Sequence, residues 1–275
     1  YRRVLATVNE HLTSEAAARY GLYLAKASDA KLYLVYIARK GAPKKDFDLA
    51  QKAIKRLVLF AEKMDTPVEA IIETGDPLED IKKIVKEKRI EIIFGATRKE
   101  RKNSGYMLGS FAKGLLNLPC SVALVRIVHF GRLHPGRLLI PLKDTIDNIE
   151  ERAFFSSLLS KAFHSEVLLL HIKRPLRGLI HGGVYLSSIE NEKGLSKDII
   201  TFIEYLKKYA VSFEKRLLHG HPGRDITIEA ASRRSDLIIM GFSAKGLLRQ
   251  LIEKSPFEHV LEKTPCNLII FKPSR

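Results

Sequence analysis

Cysteine is scarce in this 275-residue chain, and tryptophan is absent. Cys120 and Cys266 are too few to staple a disulfide scaffold or to build a thiolate zinc site. No apolar run approaches the roughly 18–20 residues that span a bilayer, which excludes a transmembrane helix. A Walker lysine loop, a nucleophile elbow and paired carboxylates near a candidate site are all missing, so an enzyme such as a slow ATP hydrolase has little support. The opening Tyr1-Arg2-Arg3-Val4 has neither a signal-peptide apolar region nor a methionine, as expected of a chain trimmed or cut from a longer one. A cytoplasmic protein is the expectation.

Negative charge is also in short supply. Lys and Arg number 47 against 31 Asp and Glu, a formal charge of +16. Residues 1–135 hold 25 basic and 15 acidic side chains, and residues 136–275 hold 22 and 16, so no single cationic tail explains the excess. Such a field favours anionic partners: nucleotides, nucleic acid or an acidic membrane surface. The stretch 98–135 concentrates it, with Arg98, Lys99, Arg101, Lys102, Lys113, Arg126 and Arg132 against Glu100 alone. Its aromatics do not interleave to stack bases beyond Tyr106, which argues against sequence-specific nucleic-acid reading. Its plainer reading is a solvated surface loop.

The sequence repeats itself. Arg3-Val4-Leu5-Ala6 resembles Arg137-Leu138-Leu139-Ile140, and Leu32-Tyr33-Leu34-Val35 resembles Val167-Leu168-Leu169-Leu170. Gly75-Asp76-Pro77 matches Gly220-His221-Pro222, Ile92-Ile93-Phe94-Gly95 matches Ile238-Ile239-Met240-Gly241, and Pro119-Cys120 matches Pro265-Cys266. The offset steps up once, which places an insertion around Pro175–Leu186 of the second copy. Two domains are expected, 1–130 and 136–275.

Within each copy, short β-branched or leucine-rich runs alternate with helical patterns. Strands are expected at 4–8, 32–37, 68–73, 91–95 and 121–127, then at 137–142, 166–172, 213–219, 236–241 and 267–271. Ser14 reads as the N-cap of the first helix, Phe47–Met64 as a second, and Gly75-Asp76-Pro77 as a turn with proline at the first helical position. Five strands with four crossing helices per copy imply a doubly wound α/β sheet.

A glycine-bearing loop follows the fourth strand of each copy, where open α/β sheets place ligands. The first copy offers Gly95, Arg98, Gly109 and Ser110; the second offers Gly241, Ser243, Lys254 and Ser255. Free backbone N–H groups, a hydroxyl and a cation suit phosphate, although a serine N-cap after a turn needs no ligand. His219, His221 and His181 suggest metal only superficially, because no carboxylate or thiol has ligand spacing with them.

Taken in order, these motifs resemble the universal stress protein family over nearly all of both halves. The resemblance rests on Val8-Asn9-Glu10 with Ser14-Glu15-Ala16-Ala17, on both Gly-x-Pro turns, on both Pro-Cys pairs, and on Asp236-Leu237-Ile238-Ile239-Met240-Gly241. It implies two tandem Rossmann-like (adenine nucleotide alpha hydrolase-like) domains, each a five-stranded parallel sheet with helices on both faces. The two would pack as an internal pseudo-dimer, with a homodimer as a further expectation. Many members bind ATP through Gly-x2-Gly-x9-Gly-[Ser/Thr]; others lack the motif and do not. Here Arg98 stands at the second glycine of the first copy, while Ala244 and Lys254 replace two glycines of the second. The acidic residue at the end of the first strand is Asn9 in one copy and Lys143 in the other.

Two functional readings follow. In the first, a non-enzymatic stress-response module binds ATP or a related adenine nucleotide at the first copy. Thr7, Asn9 and Ile37 then line the nucleoside pocket, Gly95, Arg98, Gly109 and Ser110 hold phosphates, and Mg2+ carried by the nucleotide is the sole metal expected. In the second, a nucleotide-independent regulatory domain docks on a transporter, a membrane surface or another anionic protein partner through its basic face.

Overall fold

Apolar runs that alternate with amphipathic stretches fold as the pattern demands. The computed structural model describes residues 1–97, 100–102, 105–173, 195–243 and 255–274. They form two units: Tyr1–Glu100, Leu108–Leu133 and Ile269–Arg275 in the first, Arg101–Met107 and His134–Leu268 in the second.

The first repeat runs β1 (Arg3–Thr7), α1 (Leu12–Ala27), β2 (Lys31–Ala38), α2 (Lys44–Lys63), β3 (Val68–Thr74), α3 (Pro77–Glu87) and β4 (Ile92–Ala96). A ribbon of β5 (Glu100–Lys102) and β6 (Gly105–Met107) follows, then α4 (Ser110–Leu116) and β7 (Ser121–Arg126). The sheet order is β3–β2–β1–β4–β7, and every neighbouring pair is parallel. Successive strands step outward from β1 to β3, then the chain returns to β4 on the other side of β1. That reversal opens a crevice at the carboxyl ends of β1 and β4. Helix α1 packs beside α2 and α3 beside α4, so both faces are covered. Val4, Leu5, Ala6, Ile92, Ile93 and Phe94 are consequently sealed from solvent, which explains their continuous apolar run.

The second repeat runs β8 (Arg137–Leu142), α5 (Ile149–Phe163), β9 (Glu166–Lys173), α6 (Lys197–Lys208), β10 (Phe213–His219), α7 (Pro222–Ser232), β11 (Leu237–Gly241), α8 (Pro256–Lys263) and β12 (Asn267–Lys272). Its order, β10–β9–β8–β11–β12, repeats the first. All ten expected strands are present with ends shifted by one residue at most, and Cys120 and Cys266 are buried thiols not joined in a disulfide. The insertion at 175–186 lies outside the described residues.

Helix entries show where local chemistry decides. Asp76 caps α3 by accepting from the backbone N–H of Leu78 and Glu79, both at 3.0 Å, with Pro77 at the first helical position. A Cβ on Gly75 would meet the Asp80 carboxylate and one on Gly220 that of Asp225, so glycine lets each acid fold back against its turn. Ser14 does not cap α1. The helix begins at Leu12 behind His11, because the Ser14 hydroxyl turns inward, accepts from Asn9 N–H at 2.9 Å and donates to the His11 carbonyl at 2.8 Å. The second helix starts at Lys44, three residues before the expected Phe47, and buries Ala50, Ala53, Ile54, Leu57 and Ala61 along one face.

Candidate ligand-binding site

A cavity of about 780 Å3 opens in the first unit at the carboxyl ends of β1, β2 and β4. That volume suits a drug-sized or nucleotide-sized ligand. Thr7, Asn9 and Ile37 line it, as do Gly109 and Ser110 where α4 begins. Residues distant in sequence therefore converge on one space, because parallel strands end on the same side.

Local bonding sets how each residue faces that space. Thr7 is 7% exposed and donates to the Phe94 carbonyl at 3.4 Å, tying β1 to β4. The side-chain oxygen of Asn9 accepts from His11 N–H at 3.0 Å, which folds the loop back on itself. Gly109 is the N-cap of α4 with extended backbone, and Ser110 is that helix's first, exposed residue. Gly95 does not line the cavity. It is buried inside β4, where a Cβ would meet Leu115 Cδ1 at 2.8 Å, so its glycine serves the packing of α4 on the sheet. Arg98 lies outside the described residues.

The wall also contains residues that the sequence did not single out for the site. Glu10 follows Asn9 and pairs with His11 at 2.6 Å; Tyr36 sits near the end of β2; Asp46 comes from the first turn of α2. Burial first, then the charges of Glu10 and Asp46, raise the Tyr36 phenol above its ordinary range, so it keeps its proton and remains a donor. Arg39 and Lys40, exposed on the β2–α2 loop, add two cations at the mouth. Their signal was topological: they directly follow a strand that ends at the crevice.

The second unit treats the equivalent place differently. Arg152, on α5, is 7% exposed and fills the space beside β11. Its guanidinium donates to the Phe242 carbonyl at 2.9 Å, to the Asp147 carbonyl at 2.7 Å and to the Asp147 carboxylate. A Cβ on Gly241 would collide with it, so this glycine makes room for an arginine. Loss of water, then repulsion from Arg152, hold the Lys143 ammonium below its ordinary range, although its side chain is exposed overall. Ser255 is the N-cap of α8, accepting from Glu258 N–H at 3.1 Å, while Ser243 is half-buried beyond β11. Lys254 lies outside the described residues. Arg152 falls in the stretch aligned with Ala16-Ala17-Ala18, and that exchange of alanine for arginine was the available sign.

His219 ends β10, His221 is the N-cap of α7, and His181 lies outside the described residues. Among the described residues no helix is long and apolar enough to cross a membrane.

Comparison with known proteins agrees with this architecture. Universal stress protein MJ0531 of Methanocaldococcus jannaschii is 25% identical over 150 residues, covering 53% of this chain and 87% of that protein. The crystal structure of a universal stress protein from Archaeoglobus fulgidus superimposes with a TM-score of 0.65 at 17% identity, covering 98% of this chain and 97% of the other. A putative universal stress protein from Pseudomonas aeruginosa does so with a TM-score of 0.63 at 15% identity, covering 99% and 93%. At such identities the two structures speak for the fold. Residues 1–126 and 146–272 each match the Universal stress protein family, and the chain belongs to that family as a tandem pair.

Proposed function

We propose that this protein is a non-enzymatic stress-response module that binds ATP or a related adenine nucleotide in its first unit alone. The observation that carries the reading is the contrast between the repeats. The first unit keeps a cavity of about 780 Å3 at the strand ends, whereas among the described residues of the second Arg152 occupies the space beside the end of β11. Asn9, Glu10, Tyr36 and Asp46 suit ribose hydroxyls and the base, and Arg39 and Lys40 suit phosphate. Ser14, also in the lining, is committed to Asn9 and His11. Ligand binding would act by ordering the loops around the cavity, a population shift that a protein partner senses.

Calorimetry with ATP, ADP and AMP at physiological salt tests this. One site per chain is expected, with affinity reduced at least about tenfold in the double variant Gly109→Val, Ser110→Ala. Absence of heat with all three nucleotides would sink the reading, and competition by salt alone would favour docking of the basic face on an anionic partner.

A further inference from the structure

Helices α5 and α6 of the second unit, with the loop that follows β8, border a groove of about 820 Å3. Phe154, Tyr205 and Tyr209 form its half-buried floor. The Tyr205 and Tyr209 rings stack at 6.2 Å and 19°, and Phe154 leans on Tyr209 at 5.6 Å. Glu150 and Glu151 supply the charge; no cation is among the described residues that line it. Arrayed this way, two carboxylates beside stacked aromatic faces match a planar cation.

The acidity is local and runs against the chain as a whole. Residues 144–151 carry Asp144, Asp147, Glu150 and Glu151 with no Lys or Arg, in a chain of formal charge +16. Asp147 is paired with Arg152, and Asp144 lies 3.3 Å from His171 Nε2. Glu150 and Glu151 are the acids of this run that line the groove, with Glu150 hydrogen-bonded to the Tyr205 hydroxyl. Glu150's charge reaches both tyrosines, raising the Tyr205 phenol directly and that of Tyr209 after burial. The chain's own Lys208 places its ammonium 5.7 Å from the Tyr205 centroid, so this ring already accepts a cation on its face.

We propose that this groove binds an arginine-bearing basic segment of a partner protein, with guanidinium groups laid on Tyr205 and Tyr209 and paired with Glu150 and Glu151. Arginine suits it better than lysine because its flat, delocalised cation stacks on a ring and meets a carboxylate through two N–H groups at once. Both interactions are modest at a surface, so the complex is weak, salt-sensitive and dependent on several arginines together.

Fluorescence anisotropy of a labelled arginine–glycine repeat peptide against the full chain provides the test. The arginine peptide binds the unaltered protein more tightly than its lysine counterpart, and a glutamate counterpart does not bind. Substituting Glu150→Gln with Glu151→Gln, at positions that need no refolding of the core, weakens the arginine peptide at least about fivefold. Tyr205→Leu weakens arginine more than lysine. Equal binding by the unaltered protein and the double glutamine variant, or no binding at all, overturns the proposal. So does a concentration-dependent dimer in sedimentation that the double variant abolishes, because the groove would then seat a second copy.

Discussion

Arg152 is the residue on which the second unit's crevice turns. Its guanidinium satisfies the Phe242 carbonyl and holds Asp147 in the loop after β8. Truncation by Arg152→Ala leaves that carbonyl without its donor and opens a hole, so unfolding free energy falls by about 2–3 kcal/mol. Urea melts of the two proteins measure it. Arg152→Lys recovers little, since one ammonium cannot reach several acceptors in a fixed plane. Gly95 offers a companion test. If its role is packing, Gly95→Ala lowers stability by about 1 kcal/mol through Leu115 and leaves nucleotide affinity nearly unchanged. Calorimetry showing the reverse pattern would return Gly95 to the ligand. Arg39→Gln with Lys40→Gln instead leaves melting unchanged and weakens ATP more than adenosine, because both side chains are exposed at the cavity mouth. At this scale the sequence was only partly legible. Thr7, Asn9, Ile37, Gly109 and Ser110, expected from the sequence, do converge on the cavity, whereas Tyr36, Arg39, Lys40 and Asp46 join them through strand-end geometry that no local motif announces.

Elements show the same division between local rules and assembly. Asp76 caps α3 with two backbone bonds, and Asp76→Ala is expected to cost about 1 kcal/mol in thermal or urea unfolding. His221, at the same place before α7, caps nothing with its side chain; there Asp225 reaches back to the His221 N–H at 2.7 Å. Each turn thus keeps its Gly-x-Pro geometry while dividing the capping work differently. The outermost strand β3 carries a pH-dependent clamp. Glu69 accepts from Lys31 at 2.6 Å and from Lys88 at 2.9 Å, and these bonds hold its carboxyl below the ordinary carboxylate range. A lowered folded-state value means that the contribution is present above the unfolded value and disappears as pH falls through the folded one. Glu69→Gln should therefore lower the melting temperature slightly at neutral pH, and the difference should close as pH falls through the lowered folded value, below which the carboxylate is protonated in either state. A gap between the two melting curves that persists in acid would show that shape, not charge, is what Glu69 supplies.

For the molecule as a whole, the duplicated pattern predicts one fold twice, while packing leaves an open cavity at the strand ends of the first unit. Saturating ATP at about a hundred times its dissociation constant should add about 2.7 kcal/mol to whichever unit binds it. Hydrogen exchange followed by mass spectrometry should then slow around residues 7–10, 35–43 and 109–112, which include cavity-lining positions, and leave 237–243 unchanged. Protection in both stretches would mean that the arginine in the second crevice yields to ligand. Fold class, repeat and strand positions were readable from the chain alone, because a strand buried on both faces must be apolar throughout and a parallel crossover must carry a helix. Those requirements act over a few residues at a time and leave a periodic trace. Whether a crevice stays open is decided by other means. It depends on side chains from β1, β2, β4 and α4 in one unit, and from α5 and the end of β11 in the other, meeting across long sequence distances. An alanine or an arginine at that meeting point fits the helix pattern equally well. Only three-dimensional packing makes one an open site and the other a filled one.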